Sequence, residues 1–292
     1  MVLLHIKRGE TSQFLFESTV IVEVGKLVQE ILCIFNGRLK VKRICAEMEE
    51  LANYGCMLPP EVVGLTDEQV MELKLVDKWA DSCVPSGGWT ENEDPVGRRN
   101  GRQPSPHMQE VLRNAVGDVC EMIDKKLVEQ NKKLLQKNIK EALDLLRGAV
   151  TIVYPMQLPP HDSIRMEFHN TEDLSGTQAS LEVIEPAKGQ IWFAGRQMLP
   201  DKKLQDYIGK NEKCKVIIKL QKTGEGAPGR EPVISEDERK QMMMLAYRRQ
   251  EELKKLDQDS DDSYLNASWS DNNTLKSQMQ GINNIKFRMG KF

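Results

Sequence analysis

In residues 189–222, GQIWFAGRQMLPDKKLQDYIGKNEKCKVIIKLQK, polarity changes with a period of two at both ends. Cys214, Val216, Ile218 and Leu220 fall on one face and Lys215, Ile217, Lys219 and Gln221 on the other, as a strand with one buried face requires. Ahead of it, Ile191 and Phe193 share an inward face while Trp192 points outward, and Ala194-Gly195-Arg196 supplies a tight turn into Gln197-Met198-Leu199. Pro200-Asp201 makes a second corner. Leu204 and Tyr207 lie three residues apart between this corner and the last strand.

The segments IWFAGRQML, LQDY and VIIKL, in this order and spacing, resemble the second half of a ubiquitin-like β-grasp. On that resemblance a complete module spans residues 148–223, opening after Gly148. Its first strand is expected at 150–154 and its second at 163–169, where Ile164, Met166 and Phe168 alternate with Arg165, Glu167 and His169. A short helix over about 177–185, anchored by Leu181 and Ile184 and ended by Pro186, completes it. The resemblance also places Trp192, Lys215 and Ile217 at outward positions on adjacent strands that match the recognition face of such modules. An aromatic beside an isoleucine with a cationic rim has the composition of an interface centre. The competing reading is that the long helix upstream, or the helix beginning at Ser235, covers this face within the same chain.

Outward from this stretch, the chain reads as α+β. Residues 2–8 and 14–22 are β-rich runs joined by Gly9-Glu10-Thr11-Ser12-Gln13, a hairpin pattern. Helical spacing follows in 26–35, with Asn36-Gly37 as its stop, and in 39–53, ended by Gly55. Thr66-Asp67-Glu68-Gln69 is a capping box for a further short helix. A hairpin followed by helices makes residues 1–84 an N-terminal α+β region, a partial β-grasp without a third strand.

Residues 85–106, PSGGWTENEDPVGRRNGRQPSP, are dense in Gly, Pro and charge and read as a linker or long surface loop in which Arg98, Arg99 and Arg102 are solvated, with a phosphate- or partner-binding patch as the alternative. Trp89 is the odd residue there, and docking onto this chain or onto a partner both remain open. Residues 107–147 carry one long apolar stripe that thins at Lys126, Gln130 and Asn131; a single helix of that length spans about 60 Å. It either packs on the N-terminal helices or projects as a coiled-coil arm. After a Gly/Pro linker, a helix is expected over 233–256 with Met242, Leu245, Ala246, Leu253 and Leu256 as a narrow seam, and then a disordered tail over 257–292.

The composition narrows the classes of function. A net charge of −3 over 292 residues, with both signs in local blocks, points to no nucleic acid partner. No apolar run has transmembrane length and the N-terminus carries no secretory pattern, so a cytosolic or cytoskeletal protein without membrane insertion is expected. Six cysteines without a C-x-x-C pair read as reduced thiols. His5, His107, His161 and His169 have no metal-ligand spacing, and Ser86-Gly87-Gly88-Trp89 lacks the Gly-Lys-Ser/Thr of a phosphate loop. No catalytic residue, metal or cofactor is therefore expected.

Taken together, MVLLHIKRG, FLFEST, the Gly/Pro loop, residues 190–222 and SEDERKQMMMLAYRRQEELKKL resemble, over nearly the full length, the Kurly family of cilia- and flagella-associated protein 298. The resemblance implies a non-enzymatic protein of motile cilia, linked to cytoplasmic assembly of axonemal outer dynein arms. It also implies association with other assembly factors and chaperones, a location in the cytoplasm and at the basal body, and a part in planar cell polarity through cilium positioning. Two other classes stand beside this adaptor reading: an adaptor of the ubiquitin/proteasome or AAA chaperone system, and a stable axonemal component.

Overall fold

A computed structural model describes residues 1–65, 67–229 and 236–258. The chain divides into two units, Met1–Arg230 and Glu231–Phe292. In the first, the N-terminal alternation produces strands β1 (Val2–Arg8) and β2 (Thr11–Ser18), paired antiparallel from Val2↔Ser18 to Arg8↔Thr11 with a bulge between Ile6 and Lys7. Val2, Leu4 and Ile6 are buried on the inward face. Gly9, at φ 60°, takes the left-handed turn that a side chain would resist.

The chain then enters α1 (Val24–Tyr54), 31 residues or about 46 Å long. The sequence predicts two helices here, separated at Asn36-Gly37, and the structure has one. Gly37 faces α4 (Gln136–Val153), where an added Cβ would sit 2.8 Å from Ile139 Cγ2. It therefore serves close helix packing, and the buried contacts on both sides outweigh its poor helix propensity of about 1 kcal/mol. Asn36 turns its amide onto the backbone of Ile184, with Nδ2 donating to the carbonyl (2.7 Å) and Oδ1 accepting from the amide (3.2 Å). Asn36→Ala leaves both backbone groups of the buried Ile184 without partners. The expected cost is about 1–3 kcal/mol, with faster hydrogen exchange at the Ile184 amide as the direct readout. Unchanged protection there would refute the assignment.

The first part of α1 buries Val24, Leu27, Ile31, Leu32 and Phe35; the second buries Val41, Ile44, Cys45, Met48 and Leu51. The former pack in one core with the sheet, and the latter with α3 (Pro106–Ile123) and α4. The expected single helix over 107–147 is thus two. The stripe breaks where it thins: a 3-10 turn at Lys125–Val128 follows Asp124, whose carboxylate accepts from the Lys126 amide, and Asn131 adopts φ 54°. Continuing the helix would turn Lys126, Gln130 and Asn131 toward apolar neighbours. Folding back buries Leu112, Val116, Val119 and Ile123 together with Ala142, Leu146, Ala149 and Val153 instead.

Two expected strands are helices. Residues 150–153 belong to α4, because the buried positions 142, 146, 149, 150 and 153 keep helical spacing across the exposed Gly148. Residues 163–169 form α5 (Ser163–His169), N-capped by Asp162, whose Oδ1 accepts from the Ile164 amide at 3.0 Å. The alternating Ile164, Met166 and Phe168 fit a helix as well, since Ile164 and Phe168 are one turn apart. Arg43 of α1 holds Glu167 of α5 with both ends of its guanidinium, at 2.6 and 3.0 Å, and Lys40 pairs with Glu172 at 2.9 Å. Short helices α2 (Asp67–Glu72) and α6 (Gln178–Glu182) complete this region.

The missing strands of the sheet come from the N-terminus. After β5 (Gly189–Phe193), β6 (Arg196–Gln197) and α7 (Gln205–Ile208), β7 (Lys215–Lys222) inserts between β1 and β5, giving the order β2-β1-β7-β5-β6. β7 runs parallel to β1, from Leu3↔Lys215 to Lys7↔Lys219, and antiparallel to β5, from Gly189↔Lys222 to Trp192↔Lys219. Hairpin, helix and three further strands in this order are compatible with a ubiquitin-like β-grasp. The sheet is not confined to residues 148–223, however, because the stretch between α1 and β5 is a helical insertion.

Residues 85–106 are not a solvated linker. They form a two-stranded ribbon, β3 (Trp89–Glu91) with β4 (Arg102–Pro104), docked on the end of α1 through Asn92 Nδ2 to the Asn53 carbonyl (2.9 Å) and the Asn100 amide to the Cys56 carbonyl (2.9 Å). Trp89 is exposed, with the Arg102 guanidinium of the paired strand 5.0 Å above its ring. The second unit contains α8 (Glu236–Gln258), on which Met242, Met243, Met244, Leu245 and Leu253 are exposed. The Ser235 cap, and the expected tail from residue 259 onward, lie outside the described residues.

Candidate functional site

Trp192, Lys215 and Ile217 share the outward face of the sheet, since Val216, Ile218, Leu220 and Ile191 take the inward one. Strand pairing adds residues from β1. His5 lies opposite Ile217, Leu3 opposite Lys215, and Lys7 opposite Lys219, which in turn faces Trp192. The alternation of Leu3, His5 and Lys7 against Val2, Leu4 and Ile6 is visible in the sequence. That these residues adjoin Ile217 is not, because period two assigns a face and not a neighbour.

The three predicted residues differ in exposure. Ile217 is 38 % exposed and central to the face. Lys215 is exposed, with its Nζ 3.3 Å from Asn131 Oδ1 of the α3–α4 connection. Trp192, which points outward as the alternation requires, is half-buried, and its indole N–H is buried without an acceptor among the described residues. The chain past β7 returns over this part of the face, where Lys219 Nζ donates to the Gly229 carbonyl at 2.7 Å. At the opposite edge the α3–α4 connection covers Leu15 completely, through the Leu134 amide bonded to the Leu15 carbonyl at 2.9 Å. What stays open is a strip centred on Ile217 and Lys215, bounded on both sides by the protein's own chain. A strip of this kind supports side-chain recognition by a protein. Within it, His5 Nε2 lies 3.0 Å from Ser12 Oγ.

Several groups with perturbed acidity lie elsewhere, under or near the ribbon of residues 85–106. Arg99, expected in solvent, is 5 % exposed; its Nη1 donates to the Gly55 carbonyl (2.8 Å) and its Nη2 to the Glu47 carboxylate (2.5 Å) and carbonyl (3.1 Å). Asp162 Oδ2 stands 4.0 Å from the same guanidinium and accepts from the Met57 amide at 3.1 Å. Burial raises the Asp162 carboxyl above the ordinary range despite Arg99. For Glu47, burial acts upward but Arg99 and Arg98 outweigh it, and the carboxyl is lowered. The nearby Cys56 and Tyr154 are both raised, chiefly by burial, as is Cys45, pushed up to about 12. Thiols held protonated in this way are inert packing groups. Arg99 is used up by structural partners, and among the described residues no group of three or more His, Cys, Asp or Glu is placed to hold a metal ion.

Comparison with known proteins now supplies the affiliation. The family model for cilia- and flagella-associated protein 298 matches residues 189–285, which include β5 to β7 and α8. Among curated proteins, a cilia- and flagella-associated protein 298 of Drosophila melanogaster is 58% identical over 291 residues, covering 100% of both chains. Proteins of the same name from Danio rerio and Homo sapiens are 56% and 53% identical, covering 98% and 99% of this chain and 99% of theirs. No solved structure matches significantly. Identity above one half along the entire length leaves one conclusion: this chain belongs to the cilia- and flagella-associated protein 298 family.

Proposed function

We propose that this protein is a non-enzymatic adaptor of motile cilia that supports cytoplasmic assembly of outer dynein arms. The observation that carries the reading is full-length similarity to proteins named for cilia and flagella, which supports a cilium-related role. Dynein-arm assembly factors and chaperones as partners, action in the cytoplasm and at the basal body, and a part in cilium positioning and planar cell polarity are the finer parts of the proposal. The strip around Ile217, Lys215 and Trp192, with Leu3 and His5 beside it, is its working surface. An apolar centre with a cationic rim matches the composition of protein interfaces.

The test is a pull-down from ciliating cells, comparing wild type with Ile217→Asp and with Trp192→Ala. Ile217 is exposed, so its variant retains the wild-type circular dichroism spectrum; a carboxylate at an interface centre should cost at least about 2 kcal/mol, roughly a 30-fold loss of affinity. Loss of dynein-arm assembly proteins from the Ile217→Asp sample is the expected result. Selective loss of ubiquitin receptors or AAA cofactors would favour the ubiquitin-system reading instead. Unchanged partners in both variants would remove the sheet face from the proposal. Retention of the protein in detergent-extracted axonemes would replace the assembly role with a structural one.

A further inference from the structure

Where the sheet, α1 and the helical insertion meet, a cavity of about 380 Å³ is lined by Arg8, Gln13, Phe35, Arg38, Leu39, Lys42, Lys125 and Glu182. Four of these side chains are cations and one is a carboxylate. Arg38 is the informative member. It is 3 % exposed, and Nη1 donates to the Gln13 carbonyl at 2.5 Å and to Gln13 Oε1 at 3.3 Å. Its Nε and Nη2 are buried and have no acceptor among the described residues. An interior guanidinium is normally matched by a carboxylate, as Arg43 and Arg99 are in this same protein. Around Arg38 no carboxylate among the described residues reaches its guanidinium; Asp124 acts on it only at longer range, and Lys42, Lys125 and Arg8 line the same cavity.

The rest of the lining shows the same imbalance. Lys42 and Lys125, both exposed at the cavity rim, make no hydrogen bond or ion pair with a described residue, and Arg8 spends its Nη1 on the Glu182 backbone carbonyl (2.8 Å) while its guanidinium lies 5.5 Å above the Phe35 ring. Burial, followed by the repulsion of Arg38 and Lys125, lowers the Lys42 ammonium, and Asp124 offsets this only in part. Solvent screens the two lysines, whereas the unmatched N–H groups of the buried Arg38 cost stability unless something supplies acceptors and negative charge. The surface strip described above lies on the other side of the sheet from Phe35 and plays no part here.

We infer that this cavity is a binding site for a phosphate group. A phosphate offers several acceptor oxygens and about two negative charges near neutral pH, enough to answer an arginine fork and two lysines together. The group can arrive as a small free anion or on a phosphorylated protein segment, and the recognition chemistry is the same. Gln13 and Arg38 form the floor, Lys42 of α1 and Lys125 of the α3–α4 connection the walls, and Arg8 the side bounded by the insertion. Because these residues come from β1, β2, α1 and the insertion, occupancy would tie the insertion to the sheet and raise thermal stability by mass action.

The experiment uses the full chain at near-physiological salt. Inorganic pyrophosphate is titrated against the wild type, with sodium chloride at matched ionic strength as the blank, by thermal shift and calorimetry. Parallel arms use a phosphoserine peptide and its unphosphorylated form. Saturable stabilisation by pyrophosphate or the phosphopeptide, weakened at least tenfold in Lys42→Gln/Lys125→Gln and unchanged in Lys26→Gln, is the expected result. Preference for the phosphopeptide over pyrophosphate assigns the phosphate to a protein, and the reverse assigns it to a free anion. Both lysines lie at the wall without described partners, so the double variant folds; Arg38→Gln is a second, more severe probe. Stabilisation no greater than the chloride blank, or equal binding by the double variant, overturns the inference.

Discussion

Replacing Gly55 by alanine is expected to destabilise the protein by more than about 3 kcal/mol and to release the ribbon of residues 85–106. Gly55 follows α1 with φ 79° and ψ −159°, a conformation essentially reserved for glycine. An added Cβ would lie 2.3 Å from the Arg102 carbonyl oxygen and 2.5 Å from Asn100 Oδ1. The first is backbone, so it yields only if the ribbon moves. That movement also strips Arg99 from the Gly55 carbonyl, and a local clash becomes loss of a buried ionic contact. Gly9→Ala is the control: Gly9 has φ 60° but open space around it, so it pays backbone strain alone, roughly 1–2 kcal/mol. Denaturant unfolding gives the energies. Tryptic cleavage at Arg98, Arg99 and Arg102 reports the ribbon and should accelerate in Gly55→Ala but not in Gly9→Ala. Equal effects of the two substitutions would show that the ribbon does not press on Gly55.

Arg99→Met is the second large effect, because it removes the cation beside the fully buried Asp162 and leaves Glu47 with Arg98 alone, at 3.3 Å. Breaking one side of a buried ion pair costs about 3–5 kcal/mol. In a folded unit of this size that corresponds to a fall of roughly 6–20 °C in Tm. The methionine fills most of the arginine's volume, so the loss is electrostatic and hydrogen-bonding in origin. Protonation distinguishes the two carboxylates. The Glu47 carboxyl is lowered in the fold, so its stabilisation is complete above its unfolded value, about 4.3, and is lost as pH falls through the folded one. Asp162 is raised, so its ionisation costs stability above its unfolded value and that cost is relieved on acidification. The stability gap between wild type and Glu47→Gln is therefore widest near neutrality and closes below about pH 4. A gap independent of pH would mean that Glu47 contributes by packing and not by charge.

These two substitutions concern a region whose order the sequence conceals. Residues 85–106 have the composition of a linker, and the charge of Arg98, Arg99 and Arg102 suits solvent. What reverses this is Asp94, whose carboxylate gathers the amides of Val96, Arg98 and Arg99 at 2.9, 2.8 and 3.0 Å and so turns the Arg99 side chain toward Glu47. An Asp followed by Pro and Gly is a turn pattern available in the sequence. The carboxylates awaiting Arg99 are 52 residues before it, at Glu47, and beyond the next two helices, at Asp162.

The sequence by itself determined the elements whose inward face is set by short-range periodicity: the β1–β2 hairpin, the strands β5 and β7, the turn between β5 and β6, and the apolar face of α1. It also placed Trp192, Lys215 and Ile217 on one outward face. Only the tertiary structure decided which strands adjoin. Val2–Arg8 and Lys215–Lys222 are separated by the whole insertion and pair because each is left with an unpaired edge and an apolar face that α1 covers. Period two carries no information on partner, and in runs as short as 150–154 and 163–169 it does not separate strand from helix; there, Asp162 as a cap and the facing helices settled the matter. The same holds for Trp192, whose direction follows from alternation while its half-burial depends on a segment that returns over the sheet. Direction is a property of the local backbone, whereas exposure depends on what the rest of the chain places above it.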